Sequence, residues 1–125
     1  MLPRESTFPS FDTAEYPDTY VKHYMYGNDR ITIPSSIRIF NKTGDAYGFL
    51  IDASYVADFD KGVEFMITAM IACNSDGVFN DDHYDYDTVG YPFLKHLGQV
   101  IYDHEVKRAR PFKPDLSTFR YVYTE

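Results

Sequence analysis

The sequence predicts an α+β fold in which a three-stranded antiparallel meander is packed by one long C-terminal helix. Two turn signals divide residues 36–73 into three extended stretches, and the middle stretch alternates in polarity with the period of a strand. Apolar residues at helical spacing follow between residues 88 and 107. With 125 residues, the chain is long enough for one domain.

Composition and charge exclude several classes of protein. Hydrophobic residues make up 44% of the chain, and its 12 Tyr and 10 Phe indicate a folded protein because disordered segments contain few aromatic residues. The net charge of −7, with 12 basic residues scattered along the chain, argues against nucleic acid as the main partner. No apolar run approaches the ~18 residues of a membrane span.

Residues 1–35 are predicted to form an irregular approach to the sheet with one short helix. Prolines and polar residues interrupt the first 17 positions, which show no periodicity. Asp18 is then placed to N-cap a short helix that ends at Gly27. The first residues lack the apolar core of a signal peptide, but the compartment stays open because the chain can be part of a longer protein.

The first two strands are predicted on either side of a tight turn. The first strand covers residues 36–42, and the turn carries Lys42-Thr43-Gly44. The second strand gives the clearest alternation, with one strongly apolar face and one mixed face. The apolar face consists of Tyr47, Phe49, Ile51, Ala53, Tyr55, Ala57 and Phe59.

The third strand, residues 63–73, follows a hairpin turn in which Gly62 supplies a positive φ. Beyond Glu64 it is apolar on both faces, which is typical of a strand covered on both sides. Because it lies at an edge of the three strands, we expect a neighbour that this chain does not supply. Cys73 is the single cysteine, which excludes an internal disulfide, and its place at the end of an apolar run favours a buried thiol.

An acidic loop and a long helix follow the sheet. Residues 74–87 contain five Asp and one His, but their spacing does not match the calcium-loop template, which favours a solvated loop over a metal site. The helix is predicted over residues 88–107, with Pro92 in its first turn. Its apolar stripe consists of Phe93, Leu94, Leu97, Val100, Ile101 and His104.

These elements divide the chain into an N-terminal approach (1–35), a sheet-and-helix unit (36–109) and a tail (110–125). The tail is predicted to be a short strand or an extended segment packed on the surface. The sequence contains no Gly-rich phosphate loop, and we expect neither a cofactor nor a metal.

The motif Lys42-Thr43-Gly44 carries a family resemblance. It closes the first predicted strand, and Tyr47-Gly48 follows it at the start of a meander that leads to a long helix. In this the chain resembles the class A β-lactamase-like branch of the β-lactamase and penicillin-binding-protein superfamily of serine hydrolases. The resemblance covers residues 37–105, including KTGDAYGFLID, the DKG hairpin, FMITAMI and YPFLKHLGQVIYDHE. It implies that residues 36–109 form a β-lactamase-like C-terminal subdomain with an incomplete sheet.

The resemblance also implies roles for four residues at one wall of an active site. Lys42 would be the catalytic residue, holding a substrate carboxylate and keeping a neighbouring hydroxyl poised for proton transfer. Thr43 would donate its hydroxyl to the same carboxylate. Gly44 would let the substrate lie against the strand, and Asp45 would supply one backbone N–H of the oxyanion hole.

Two departures from the family pattern limit what the chain does by itself. No serine in it is followed three residues later by a lysine, so the Ser-x-x-Lys nucleophile motif is missing, as is the Ser-Asp-Asn triplet. The carboxylate of Asp45 would also disfavour anionic substrates such as β-lactams. The resemblance thus implies the C-terminal portion of a hydrolase acting on an amide or ester, inactive alone and from a family that is typically exported or periplasmic.

Two partners would satisfy the apolar third strand. One is the missing N-terminal part of the same fold, and the other is a second copy of the chain, joined through residues 63–73. The second possibility belongs to an alternative function, a small non-enzymatic α+β module for binding or oligomerisation. In that case Lys42-Thr43-Gly44 would be turn chemistry only.

Overall fold

The computed structural model describes residues 2–121 and has one antiparallel sheet at its centre. The sheet contains three strands in the order β1-β2-β3, so that β1 and β3 are its edges. The strands are β1 (Ile37–Ala46), β2 (Phe49–Asp58) and β3 (Val63–Ala72).

Helical elements lie before and after this sheet. A helical turn, α1 (His23–Tyr26), precedes it, and the long helix α2 (Tyr91–Lys107) follows it. Single turns of 3-10 or π-helix occupy Pro3–Glu5, Tyr86–Gly90 and Ser117–Phe119. The predicted α+β class, a three-stranded meander with a long C-terminal helix, is confirmed. Among the described residues, no helix has both the length and the apolar character needed to cross a membrane.

The first hairpin turns later than the sequence predicts. β1 continues through Lys42-Thr43-Gly44 to Ala46, which pairs with Phe49 of β2. The two-residue turn is Tyr47-Gly48, with φ values of 52° and 85°. Positive φ at both central positions matches the twist of a tight hairpin, and Gly48 adopts it without strain. The prediction of Lys42-Thr43-Gly44 as a turn is therefore wrong, because residues 42–46 all find partners across the strand pair.

The mixed face of β2 is the buried one. Its residues Leu50, Asp52, Ser54, Val56 and Asp58 are all buried, and we call this side of the sheet the inner face. The more apolar side, which we call the outer face, leaves Phe49 and Ile51 exposed. The polar residues are tolerated inside because they are hydrogen-bonded there, so the choice of buried face follows from partners and not from polarity alone.

β3 is covered on one face only. Its inner-face residues Phe65, Ile67 and Ile71 are half-buried, whereas Met66 and Met70 on the outer face are 83% and 63% exposed. Within the described residues nothing covers the outer face of β3, and the expected partner for this strand stays a prediction. The prediction that this strand lies at an edge of the three is confirmed by the strand order.

The inner face is covered by α2 together with residues of the N-terminal approach. One core cluster joins the sheet to the N-terminal residues Leu2, Met25, Tyr26 and Ile33. A second cluster joins Leu50 and Cys73 to Tyr24 and to Leu94 of α2. The N-terminal approach therefore contributes residues to the same core as the sheet. The helix also packs on a narrower stripe than predicted, since Phe93, Val100 and His104 are exposed.

Asp18 does not cap the short helix as predicted. It is buried, pairs with Arg4 and accepts a hydrogen bond from the N–H of Ile33 at 2.9 Å. The short helix begins only at His23, and non-helical dihedral angles at Tyr24 and Met25 limit it to one turn. The capping prediction is wrong because this carboxylate joins distant parts of residues 1–35 instead. The predicted stop at Gly27 is confirmed, since Gly27 follows the turn with a φ of 61°.

The predicted tail packs partly on the outer face. Phe119 contacts Tyr55 of β2 and Phe40 of β1, with ring centroids 4.9 and 5.9 Å apart. Ser117–Phe119 form a 3-10 turn, and no strand is present up to residue 121. Residues 122–125 of the predicted tail lie outside the described residues. Up to residue 121, the rings of the tail lie over one end of the outer face.

A buried carboxylate joins the β2–β3 hairpin to the long helix. Asp58 accepts hydrogen bonds from the N–H groups of Asp60 and Lys61 at 2.9 and 3.1 Å, which closes the hairpin turn. Tyr102 of α2 donates its hydroxyl to the same carboxylate at 2.5 Å. Burial, followed by this hydrogen bond, raises the pKa of Tyr102. Burial and the nearby charge of Asp58 raise the pKa of Tyr26 to about 12.

We expect the protein to lose stability as the pH rises above about 10, where an unfolded tyrosine releases its proton. The folded state holds the protons of Tyr26 and Tyr102 to higher pH. It then binds more protons than the unfolded state, so the free energy of unfolding falls with rising pH. Urea unfolding at pH values on both sides of about 10 measures this slope. Tyr102→Phe should make it shallower, and an equally steep loss in this variant would contradict the assignment.

Close packing at Gly98 gives a second prediction. A Cβ at this position would lie 2.5 Å from the amide nitrogen of Met25 and 2.9 Å from Cβ of Tyr24. Gly98→Ala should therefore lower the free energy of unfolding by about 1–3 kcal/mol, although alanine has the better helix propensity. His96→Ala, on an exposed position of the same helix, is the matched control and should cost less than about 0.5 kcal/mol. An unchanged or increased stability of Gly98→Ala would show that α1 does not touch the helix this closely.

Candidate functional site

The structure places the four predicted site residues on β1, an edge strand that pairs only with β2 within residues 2–121. Thr43 and Asp45 are opposite the inner-face residues Asp52 and Leu50, and thus lie on the inner face. Lys42 and Gly44 lie on the outer face, because side chains alternate along a strand. The Lys42-Thr43-Gly44 motif therefore lies on one edge strand, with the side chains of Lys42 and Thr43 on opposite faces of the sheet.

Lys42 and Gly44 face the open side of the sheet. The ammonium of Lys42 is exposed and donates a hydrogen bond to the carbonyl oxygen of Thr43 at 2.6 Å. A Cβ at Gly44 would lie 3.3 Å from a methyl carbon of Ile51, so glycine keeps this part of the outer face flat. The carboxylate of Asp45 is exposed at the end of the strand. The positions of Lys42 and Gly44 suit contact with a ligand on the outer side, and the catalytic and binding roles of all four residues stay predictions.

A buried polar network lies behind the motif on the inner face. Asp52 is fully buried and accepts hydrogen bonds from Asn41 Nδ2 at 3.1 Å and from Ser54 Oγ at 2.9 Å. The same amide of Asn41 also donates to the carbonyl oxygen of Val21 at 2.7 Å. A carboxylate in this apolar surrounding is stable only because its oxygens have these donors.

Lys22 and Tyr24 connect this network to the N-terminal approach. Lys22 Nζ donates to Asn41 Oδ1 at 2.8 Å, and the hydroxyl of Tyr24 donates to the carbonyl oxygen of Asp52 at 2.9 Å. Burial lowers the pKa of Lys22, while the charge of Asp52 opposes that shift. Burial and Asp52 raise the pKa of Tyr24 to about 12. The arrangement fixes β1 from behind and holds one ammonium close to the motif.

Sequence analysis did not single out Lys22, Asn41 or Asp52. The available signal was the polar pair Asp52 and Ser54 inside an otherwise apolar strand, since buried polar residues in strands need partners. Lys22 offered no signal because its partners are 19 or more positions away along the chain. A lysine that crosses to a strand so distant in sequence is identified only by the fold.

Cys73 is buried and the acidic loop is mostly exposed, as the sequence predicts. Cys73 is buried, and this burial raises the pKa of its thiol, which makes it a poor nucleophile. The residues 74–87 are mostly exposed and carry several turns closed by their own Asp and Asn side chains. Within residues 2–121, no group of three or more His, Cys, Asp or Glu side chains is arranged to hold a metal ion.

Comparisons with known proteins identified no relative of this chain. No family model matches the chain, and the searches found no similar curated protein and no similar solved structure. The resemblance to β-lactamase-like hydrolases therefore rests on the motif and its setting alone.

The inner-face network predicts unequal effects of two substitutions. Asp52→Ala removes the acceptor for Asn41 and Ser54 and the negative charge near the Lys22 ammonium, and should lower the free energy of unfolding by about 2–4 kcal/mol. Lys22→Met has a similar volume and leaves the Asn41 and Ser54 donors of Asp52 in place, but it removes the positive charge near that carboxylate, so it should lower the free energy of unfolding by a smaller amount, about 1 kcal/mol.

Urea unfolding of both variants, with exposed Asp103→Ala as the control, measures these differences. Equal losses for Asp52→Ala and Asp103→Ala would mean that the network contributes nothing. A loss for Lys22→Met as large as that for Asp52→Ala would mean that the ammonium, and not the carboxylate, is the essential member.

Proposed function

We propose that this chain is the C-terminal portion of a β-lactamase-like serine hydrolase and supplies the substrate-holding wall of its active site. The supporting observation is the position of Lys42-Thr43-Gly44 on a strand edge that is free within residues 2–121, beside an uncovered apolar face. The reaction would be acyl transfer and hydrolysis of an amide or ester. The nucleophile would come from a part of the protein outside this chain.

The free edge of β1 suits a substrate that binds in extended form. An edge strand presents unpaired N–H and C=O groups, which add an extended peptide-like ligand as a further strand. Gly44 has no Cβ to keep such a ligand away. The ammonium of Lys42 is exposed beside this edge, where it can exchange its bond to Thr43 for a bond to a ligand oxygen.

The exposed outer face supports the proposal that another part of the protein covers it. Phe49, Ile51, Met66 and Met70 all have exposed side chains there, although each is large and apolar. A contiguous apolar surface of this kind marks a site of interaction in most soluble proteins. Since Lys42 lies on this same face, a domain that covers it would be placed to bring a serine to the motif.

The edge of β3 favours a second candidate, a non-enzymatic module that associates with its own copies. This strand has a free edge among the described residues, and Glu64 is its single charged residue. Edge strands without protecting charges or prolines pair readily with other chains. In this case two copies would continue the sheet through residues 63–73, and Lys42-Thr43-Gly44 would have no chemical role.

We expect the isolated chain to hydrolyse neither a chromogenic β-lactam nor a p-nitrophenyl ester, because it positions a substrate without attacking it. Co-expressed with an upstream segment that carries Ser-x-x-Lys, it should gain turnover of its ester or amide substrate. Lys42→Ala should then lower kcat by about 100-fold or more, and Lys61→Ala in an exposed turn should leave it unchanged. Turnover by the isolated chain that depends on one of its own serines would contradict the proposal.

Substitutions on the outer face separate the two candidates. Met66→Lys with Met70→Lys should change the stability of the isolated chain by less than about 0.5 kcal/mol, because both side chains are exposed. Under the hydrolase proposal, the double variant should lose its association with the nucleophile-bearing segment. Sedimentation of the unsubstituted chain tests the alternative. An oligomer favours self-association if Ile67→Pro in β3 abolishes it and the variant keeps the far-ultraviolet circular dichroism of the unsubstituted chain.

A further inference from the structure

A cavity at the end of the first hairpin combines negative charge with aromatic walls. It has a volume of about 440 Å³ and lies between the β1–β2 turn and the acidic loop. Its lining consists of Asp45, Ala46, Tyr47, Asn80, Asp82, Tyr84 and Tyr86. Three tyrosines and two carboxylates thus surround one space, with neither a lysine nor an arginine among them.

The aromatic walls are fixed by hydrogen bonds to the backbone. The hydroxyl of Tyr86 accepts from the N–H of Gly48 at 2.8 Å, and the hydroxyl of Tyr84 accepts from the N–H of Asn80 at 2.8 Å. The two rings contact each other with their centroids 5.5 Å apart. Because both rings are held at their far ends, the cavity is formed before any ligand arrives.

The charge around the cavity has one sign. Residues 62–94 contain neither Lys nor Arg, and five Asp lie between positions 76 and 87. Within residues 2–121, the carboxylates of Asp45 and Asp82 have neither an ion pair nor a hydrogen bond, while the other loop carboxylates Asp76, Asp81, Asp85 and Asp87 all accept one. The two unpaired carboxylates are the ones that line the cavity. Both are therefore free to receive a cation.

We propose that this cavity binds an organic cation, an alkylammonium or guanidinium group of a small ligand. Carboxylates attract the charge, and tyrosine faces stabilise a cation through their quadrupoles when it lies within about 6 Å of the ring centre. An organic cation fits better than a metal ion because three of the seven lining residues are tyrosines and the two carboxylates are accompanied by only one amide side chain. Asp45 directly follows Gly44, so the cation would be held beside the edge of β1.

The inference does not depend on the proposed hydrolase, since binding of a cation needs no nucleophile. If the hydrolase proposal also holds, this cavity would select substrates with a cationic group close to the scissile bond. That choice agrees with Asp45, whose charge would disfavour anionic substrates at the same place. Failure of hydrolysis would leave the binding measurement unaffected, and the two results can be told apart.

The test is a titration of the ¹⁵N-labelled chain with choline, followed through amide chemical shifts at constant ionic strength. The matched control is 3,3-dimethyl-1-butanol, which has the same shape without the charge, and agmatine supplies the guanidinium probe. We expect choline or agmatine to shift the amides of residues 45–48 and 80–86 in a saturable manner, and the neutral analogue to leave them unchanged. Equal shifts by the neutral analogue, or shifts spread evenly over the acidic surface, would overturn the proposal.

Two variants locate the binding site within the cavity. Asp45→Asn removes one charge without a change of shape, and Tyr47→Asn removes a ring at a position whose φ of 52° asparagine tolerates. Each should weaken binding by about fivefold, the effect of a single exposed cation–π or charge contact. Asp103→Asn, on an exposed position of α2, is the control and should leave the affinity unchanged. Unchanged affinity in both cavity variants would also overturn the proposal.

Discussion

The burial of two carboxylates on the inner face is the constraint on which the rest of the structure depends. Asp52 and Asp58 are both fully or almost fully buried, and each would cost several kcal/mol without donors around it. The donors come from four places: Asn41 on the neighbouring strand, Ser54 on β2 itself, the turn after β2, and Tyr102 on the long helix. Tyr102 thus joins the helix to the sheet by a polar contact. Lys22 and Tyr24 of the N-terminal approach add hydrogen bonds to Asn41 and to the backbone of Asp52.

This constraint explains why the sheet exposes its more apolar side. Once Asp52 and Asp58 have their donors on the inner face, every second residue of β2 must point outward, because a strand alternates. Phe49 and Ile51 are then left on the outer face, and Met70 lies opposite Ile51 across the β2–β3 pair. The exposed surface follows from the register of the buried network. It is also the surface on which Lys42 lies, which links the stability of the inner face to the proposed function of the outer one.

The class of fold and the last hairpin of the sheet could be predicted from the sequence, because strand alternation and turn residues are local signals. The positive φ of Gly62 and the long helix with Pro92 in its first turn were found in this way. The exact turn of the first hairpin was missed because Tyr47, a bulky residue, adopts a positive φ that its type rarely shows. The buried side of β2 was decided by partners far away in the sequence, such as Tyr102 for Asp58. Of the candidate site, the motif was identified but was placed in a turn instead of on an edge strand, and neither Lys22 nor the walls of the cavity were predicted.

The position of Asp45 connects the hydrolase proposal with the cavity. Along β1 the side chains of Lys42 and Asp45 point to opposite faces, so their charges do not neutralise each other at a short distance. A ligand lying along this edge would meet a positive charge toward the outer face and a negative, aromatic cavity toward the turn. Such a separated pair of charges suits a ligand that carries both signs, with its carboxylate near Lys42 and its cation beyond Asp45. A ligand that is only anionic would satisfy the first group and be repelled by the second.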